Sequence, residues 1–156
     1  MIVSLILTGS IILIDQLTKF LIYGTASRSI IGNFLWFTST PNTGVAFGLF
    51  SGNSWVFIIT SLVASGILIW LILSKKFFIS KFEKITLAVI LGGTISNVID
   101  RIIFGFVRDF IYLKFINFAI FNVADMAITI GAILLCITII ISSIKTTHKK
   151  EEKWLN

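Results

Sequence analysis

Residues 54–73 read SWVFIITSLVASGILIWLIL, twenty positions without one acidic or basic side chain. That length matches the roughly 20 apolar residues an α-helix needs to cross a bilayer. Trp55 and Trp70 stand near its two ends, where indole rings anchor at the membrane–water interface. The rest of the chain agrees. It is 56% apolar and 13% charged, with a mean hydropathy of +1.02, against about 45–50% and about 25% in a soluble domain. A chain of 156 residues cannot hide so much apolar surface from water, so lipid is its solvent. The same figures exclude disorder.

Working outward, three more stretches approach spanning length, at about 2–23, 82–101 and 124–144. The third span is the shortest and requires Lys84 to snorkel toward the headgroups. The first has the length of a secretory signal peptide. It lacks a basic leading region, however, and Asp15 and Lys19 are followed by more apolar residues, so it reads as a retained span. The lone cysteine, Cys136, sits in an apolar run as a packing residue. His148, alone in a polar tail, offers no metal site. The expectation is one all-α integral membrane domain over 1–156 with four transmembrane helices.

The net charge of +6 does not point to nucleic acid, because no basic helix with interleaved aromatics occurs. Most of the basic residues lie in short runs between or after spans. The 75–84 stretch and the tail 145–156 together carry +5, and the opposite side carries +1. The positive-inside rule then makes the 75–81 loop, the tail and both termini cytoplasmic. Every aspartate falls on the outer side and every glutamate on the inner. Residues 25–52 mix β-formers (Phe34, Leu35, Trp36, Phe37) with glycine, asparagine and the only proline, Pro41, which predicts short strands and turns. Residues 102–121 are aromatic and apolar apart from Arg108, Asp109 and Lys114, which predicts an interfacial segment.

Asp109, in VRDF, and Asp125, in FNVAD, are the candidate catalytic pair. Two close carboxylates share one proton; the ionised member activates water and the protonated member donates to the carbonyl oxygen of a peptide. Three clusters share that face. In DQLTK, Asp15 and Lys19 are one helical turn apart. PNTGVAFG, from Pro41 to Gly48, is a glycine-bearing turn with the Asn42 amide. GGTISNVIDR, from Gly92 to Arg101, opens with small residues suited to close helix packing and puts Asn97 and Arg101 on one face. Each cluster alone has an ordinary structural reading: Asp125 as a first-turn carboxylate on the helix dipole, Asp109 as a partner of Arg108 or Arg101.

Together, in this order and spacing, DQLTK, NTGVAFG, GGTISNVIDR, VRDF and FNVAD resemble the lipoprotein signal peptidase (type II signal peptidase) family over most of the chain. The resemblance implies an aspartic endopeptidase of the bacterial cytoplasmic membrane that needs no cofactor or metal. Its substrate is a prolipoprotein, cut just before a diacylglyceryl-modified cysteine. It places the catalytic pair on Asp109 and Asp125. Supporting or substrate-binding positions fall on Asp15, Lys19, Asn42, Gly44, Ala46, Gly93, Asn97, Arg101, Asn122 and Ala124. Val45 stands where alanine is common. Segments 34–37 and 102–121 become a β-type cradle and a lid over acyl chains, with Phe104, Phe106 and Phe110 as lipid contacts, and the expected state is monomeric. Two other readings stand beside it. A small four-span transporter or proton relay would show a carboxylate in mid-span, and a non-catalytic assembly subunit would tolerate loss of the aspartates.

The charge asymmetry predicts that cysteines introduced at Ser27 and Lys76 are labelled from opposite sides of the membrane. Labelling of both from one side overturns the four-span arrangement.

Overall fold

The computed structural model describes residues 1–44, 54–74 and 80–155. Four helices are long and apolar enough to span a membrane: α1 (Ile2–Ile22), α2 (Ser54–Leu73), α3 (Lys81–Phe104) and α4 (Val123–Leu155), of which Val123–Ile144 forms the apolar part. Strands β1 (Arg28–Ile31), β2 (Leu35–Asn42) and β3 (Val107–Leu113) form an antiparallel sheet in the order β1-β2-β3. A short 3-10 helix, Lys114–Ile116, follows β3. The sheet is thus built from both segments expected to lie outside the spans, and the second is a strand where only an interfacial stretch was predicted.

Helix α3 is the centre of the bundle and packs against α1, α2 and α4. Its span is 24 residues long, not the shortest, and more than half of its apolar window is buried against 11–17% in the others. From the sequence the span ends near Arg101, where charged residues make further passage through lipid costly. The helix runs past Asp100 and Arg101 because both are held within the protein. It starts at a capping box, in which the Ser80 hydroxyl accepts from the Glu83 N–H and the Glu83 carboxylate accepts from the Ser80 N–H. It ends at Gly105, whose φ of 79° lies in the left-handed region that favours glycine.

At Gly92 and Gly93 the neighbouring helices approach closely. A Cβ on Gly92 falls 2.8 Å from the Ile11 Cβ, and one on Gly93 falls 2.5 Å from the Ala124 carbonyl oxygen. Gly93 therefore lets the first turn of α4 lie directly on α3. Cys136, expected to pack inside, is exposed on α4. An apolar run in a spanning helix turns most of its residues outward, so membership of the run does not mean burial.

The sheet is set by register. Phe37 pairs with Ile111 and Thr40 with Asp109, so β2 carries an extra residue between them, a bulge beside the polar centre. Pro41 sits opposite Arg108, on a stretch of β2 beyond its pairing with β1, where its missing N–H breaks no ladder on that edge.

Gly93→Ala is expected to lower the thermal unfolding midpoint in detergent, costing about 1–3 kcal/mol for overpacking against backbone. Gly9→Ala, where an added Cβ meets nothing within 4 Å, serves as the control. Equal midpoints for the two variants contradict the close approach.

Candidate active site

Asp15, Asp100, Asp109 and Asp125 gather where the ends of α1 and α3 meet β3 and the start of α4, as the distribution of aspartates along the chain predicts. Lys19 is at their centre, fully buried. Its ammonium lies 2.7 Å from Asp15 Oδ2 and 3.1 Å from Asp100 Oδ2, and it donates to Asn97 Oδ1 at 3.0 Å. Three N–H groups thus meet three acceptors. The second Asp15 oxygen accepts from the Ala124 backbone N–H at 2.8 Å, while Ser96 Oγ donates to Oδ2 at 2.7 Å. The expected i,i+4 pair of Asp15 and Lys19 is present, and it ties α1 to the first turn of α4.

Asp125 occupies that turn. The Asn122 Oδ1 accepts from the Asp125 N–H at 2.9 Å, and Asp125 Oδ2 accepts from the Asn122 N–H at 3.2 Å. This reciprocal pattern is a capping box, with asparagine and aspartate in place of the commoner serine and glutamate. The first-turn reading of Asp125 is therefore correct, and it is compatible with chemistry: Oδ1 is left to accept from Asn97 Nδ2 at 2.8 Å.

Asp109 comes from β3. Its neighbourhood is aligned with the start of α4 by a backbone bridge, in which Phe110 and Ile111 donate to the Phe121 carbonyl and Phe121 donates to Ile111. Asp109 Oδ2 accepts from Asn42 Nδ2 at 2.8 Å, and Oδ1 from Asn122 Nδ2 at 2.7 Å. One asparagine, Asn122, thereby bonds both aspartates, and its Nδ2 also reaches Asn97 Oδ1 at 3.2 Å. Asp109 pairs with neither Arg108 nor Arg101. Successive side chains on a strand point to opposite faces, so Arg108 turns away from Asp109 and pairs with Asp100. Burial pushes the Asp109 carboxyl up to about 7, and the charge of Asp125 acts in the same direction. The hydrogen bonds from Asn42 and Asn122 and the Lys19 charge oppose them.

The polar end faces a cavity of about 730 Å³ between α2, α3, α4 and residues 113–121. Asp125, Asn97, Arg101, Asn42 and Gly44 line it, and its wall is largely apolar. Asp109, 1% exposed, lies behind its asparagine partners. Arg101 donates to the Gly44 carbonyl at 3.0 Å, and its buried Nε has no hydrogen-bond partner among the described residues. Gly93 and Ala124 act by close packing, as above. Ala46 and Val45 lie outside the described residues. The three phenylalanines expected as lipid contacts lie outside the cavity wall. Phe110 is buried against Phe37, Phe104 lies over Arg108, and Phe106 meets Tyr23 and Phe104. None of these three, nor segment 34–37, lines the cavity; Ile116, Phe118 and Phe121 do. Aromatic composition could not tell which part of 102–121 turns toward the helices.

Gln16, Ser96, Asp100 and Arg108 belong to the network and were not singled out from the sequence. Gln16 and Ser96 do lie one residue from Asp15 and Asn97, on the same helix turns, which was the available signal.

Spanning helices with two carboxylates bridged by one asparagine, between a sheet edge and a helix start, define a polytopic membrane protein with a polar, acidic site at one end. A family model described as signal peptidase (SPase) II matches residues 7–141. The lipoprotein signal peptidase of Brevibacillus brevis (strain 47) is 42% identical over 146 residues, 90% of this chain and 96% of that protein. That of Latilactobacillus sakei (strain 23K) is 37% identical over 148 residues, 92% and 97% of the two chains. A solved structure described as a bacterial membrane enzyme superposes with a TM-score of 0.80 at 32% identity, covering 94% of this chain and 90% of that one. The chain belongs to the signal peptidase II family.

Asn42→Ala removes a donor that favours the ionised form of Asp109, so the carboxyl should titrate above its value of about 7. Carbon-13 NMR or infrared titration of the carboxyl checks this; an unchanged or lower value contradicts the assignment.

Proposed function

We propose that the chain removes signal peptides from prolipoproteins as an aspartic endopeptidase, with Asp109 and Asp125 as its catalytic pair. The carrying observation is that one residue, Asn122, holds both carboxylates, through its side chain to Asp109 and through its backbone and side chain to Asp125. Asp125 lines the polar end of an otherwise apolar cavity, with Asp109 behind the asparagines that hold it.

Charge supports a single shared proton. Asp15 and Asp100 are balanced by Lys19 and Arg108. That leaves Arg101 beside the pair, and the set is neutral when one of the two carboxyls is protonated. The ionised member takes a proton from water as the oxygen attacks the scissile carbonyl, and the protonated member donates to the carbonyl oxygen. Collapse of the tetrahedral intermediate breaks the C–N bond, and the proton taken from water passes to the departing amine. Asn97 and Asn122 hold the carboxylates in place, and Arg101 and Gly44 line the path to them. No cofactor enters this scheme.

The substrate is a membrane-borne signal peptide with a diacylglyceryl group on the cysteine after the cleaved bond. An apolar cavity ending in polar groups suits that shape, with Ile116, Phe118 and Phe121 against acyl chains. The enzyme acts as a monomer at the outer face of the bacterial cytoplasmic membrane, both termini inside. A transporter reading is not supported, since the family is one of peptidases and the described aspartates gather at one end of the helices.

Purified protein should cleave a diacylglyceryl-modified prolipoprotein far faster than its unlipidated form. Asp109→Asn and Asp125→Asn should each abolish turnover while remaining inserted and folded, because an amide cannot act as the base. Phe118→Ala should narrow the gap between the two substrates. Near-wild-type turnover by either aspartate variant removes that residue from the pair, and equal cleavage of both substrates overturns the lipoprotein assignment.

A further inference from the structure

We infer that Asp100 and Arg108 form a positioning clamp that sets Asp109 and Asp125 relative to one another. The inference rests on the assignment of those two aspartates as the catalytic pair. Asp100 is fully buried on α3 and lines no part of the cavity. Its carboxylate nevertheless gathers donors from three directions. Oδ1 accepts from Gln16 Nε2 at 2.9 Å and Arg108 Nη2 at 2.8 Å. Oδ2 accepts from the Arg108 backbone N–H at 2.9 Å and Arg108 Nε at 3.3 Å, and lies 3.1 Å from Lys19 Nζ. The forked guanidinium contact is the geometry that best fixes orientation.

From this carboxylate two short routes lead to the pair. The first is the backbone: Asp100 holds the main-chain N–H of the residue immediately before Asp109, and so fixes β3 where Asp109 projects from it. The second runs through Lys19, which donates to Asn97 Oδ1, while Asn97 Nδ2 donates to Asp125 Oδ1. An amide whose oxygen is held by an ammonium must present its NH₂ to the next acceptor, so Lys19 also settles which way Asn97 faces. The clamp extends to α1, because Arg108 Nη2 donates to Gln16 Oε1 at 2.7 Å. The Arg108 guanidinium is stacked 4.4 Å from the Phe104 ring centroid, which closes its other side. Neither residue touches the cavity, so each acts through the residues that it holds.

The titratable and charged groups that act on Asp109 are Asp125 from α4, Lys19 from α1, Tyr23 just after that helix, and Arg101 from α3, with Asp100 and Arg108 behind Lys19 and the β3 backbone. Removing one charge of the clamp therefore alters the field at Asp109 with a predictable sign. Asp100→Asn leaves Lys19 and Arg108 less neutralised, which favours the ionised carboxyl, and the alkaline limb of activity moves to lower pH. Arg108→Met leaves Asp100 less neutralised and keeps the backbone N–H, and the limb moves to higher pH.

The test is kcat, KM and the pH profile of both variants on lipidated prolipoprotein, with Asp109→Asn alongside. The expected result is a fall in kcat of roughly ten- to hundredfold for Asp100→Asn, the loss of a charge-assisted hydrogen bond. A smaller fall is expected for Arg108→Met, with KM within about twofold in both and limb shifts of opposite sign. General damage to the fold lowers the active fraction without moving the two limbs apart. If one variant does not fold, the sign of the other's shift decides alone. Wild-type kcat and an unmoved limb in a folded variant overturn the clamp while an inactive Asp109→Asn leaves the catalytic pair standing. An active Asp109→Asn overturns the pair and the clamp with it.

Discussion

The ammonium group of Lys19 has no access to solvent and is bound by Asp15, Asp100 and Asn97, which come from α1 and α3. A buried charge of this kind is tolerable only when its donors are all used and its charge is balanced. Removing the lysine leaves two buried carboxylates facing each other across the space it filled. Much of the polar end follows from this constraint. Asp15 is fixed by Lys19 and in turn accepts from the Ala124 N–H. Asp100 is fixed by it and holds β3. Asn97 is oriented by it and reaches Asp125. The sheet, α1, α3 and α4 are thus joined through one side chain that lies behind the cavity wall.

Close packing makes that network possible. Gly93 lets the Ala124 carbonyl come within 2.5 Å of where a Cβ would stand, so the start of α4 lies against α3 at the level of Asn97. In lipid, apolar side chains gain little from leaving one another's company, and association depends on close contact and polar bonds. The exposed flanks of α1, α2 and α4 are correspondingly apolar, while the polar residues turn inward toward α3.

The spans were legible because twenty uncharged apolar residues have few other uses, and the limits of α2 match the sequence expectation at both ends. The Asp15–Lys19 pair was legible because helical spacing alone brings i and i+4 together. The Asn97–Asp125 contact was approachable through the family resemblance. The end of α3 was not legible: whether Asp100 and Arg101 stop a span depends on partners supplied by Gly44, Gln16 and Arg108, distant in sequence or past a turn. The same reason hid Arg108. It counts as an outer charge in a topology sum, and only strand alternation combined with the turn at Gly105 reveals that it points back to Asp100. The cavity-facing half of 102–121 was hidden for a related reason, since an aromatic-rich stretch with a strand, a 3-10 turn and a bridge in succession has no single period to read.

Asp125 serves both as the closing residue of the α4 capping box and as the carboxylate that lines the cavity. That double employment constrains how the protein can change over generations. A substitution of this carboxylate also frays the helix that carries it, so one change is felt at once in the fold and at the cavity. The wall supplied by α2, where Phe57, Thr60 and Ser61 border the same cavity, lies outside the buried ion-pair network. Change is therefore cheapest on that wall, where shape can drift while the polar end stays fixed.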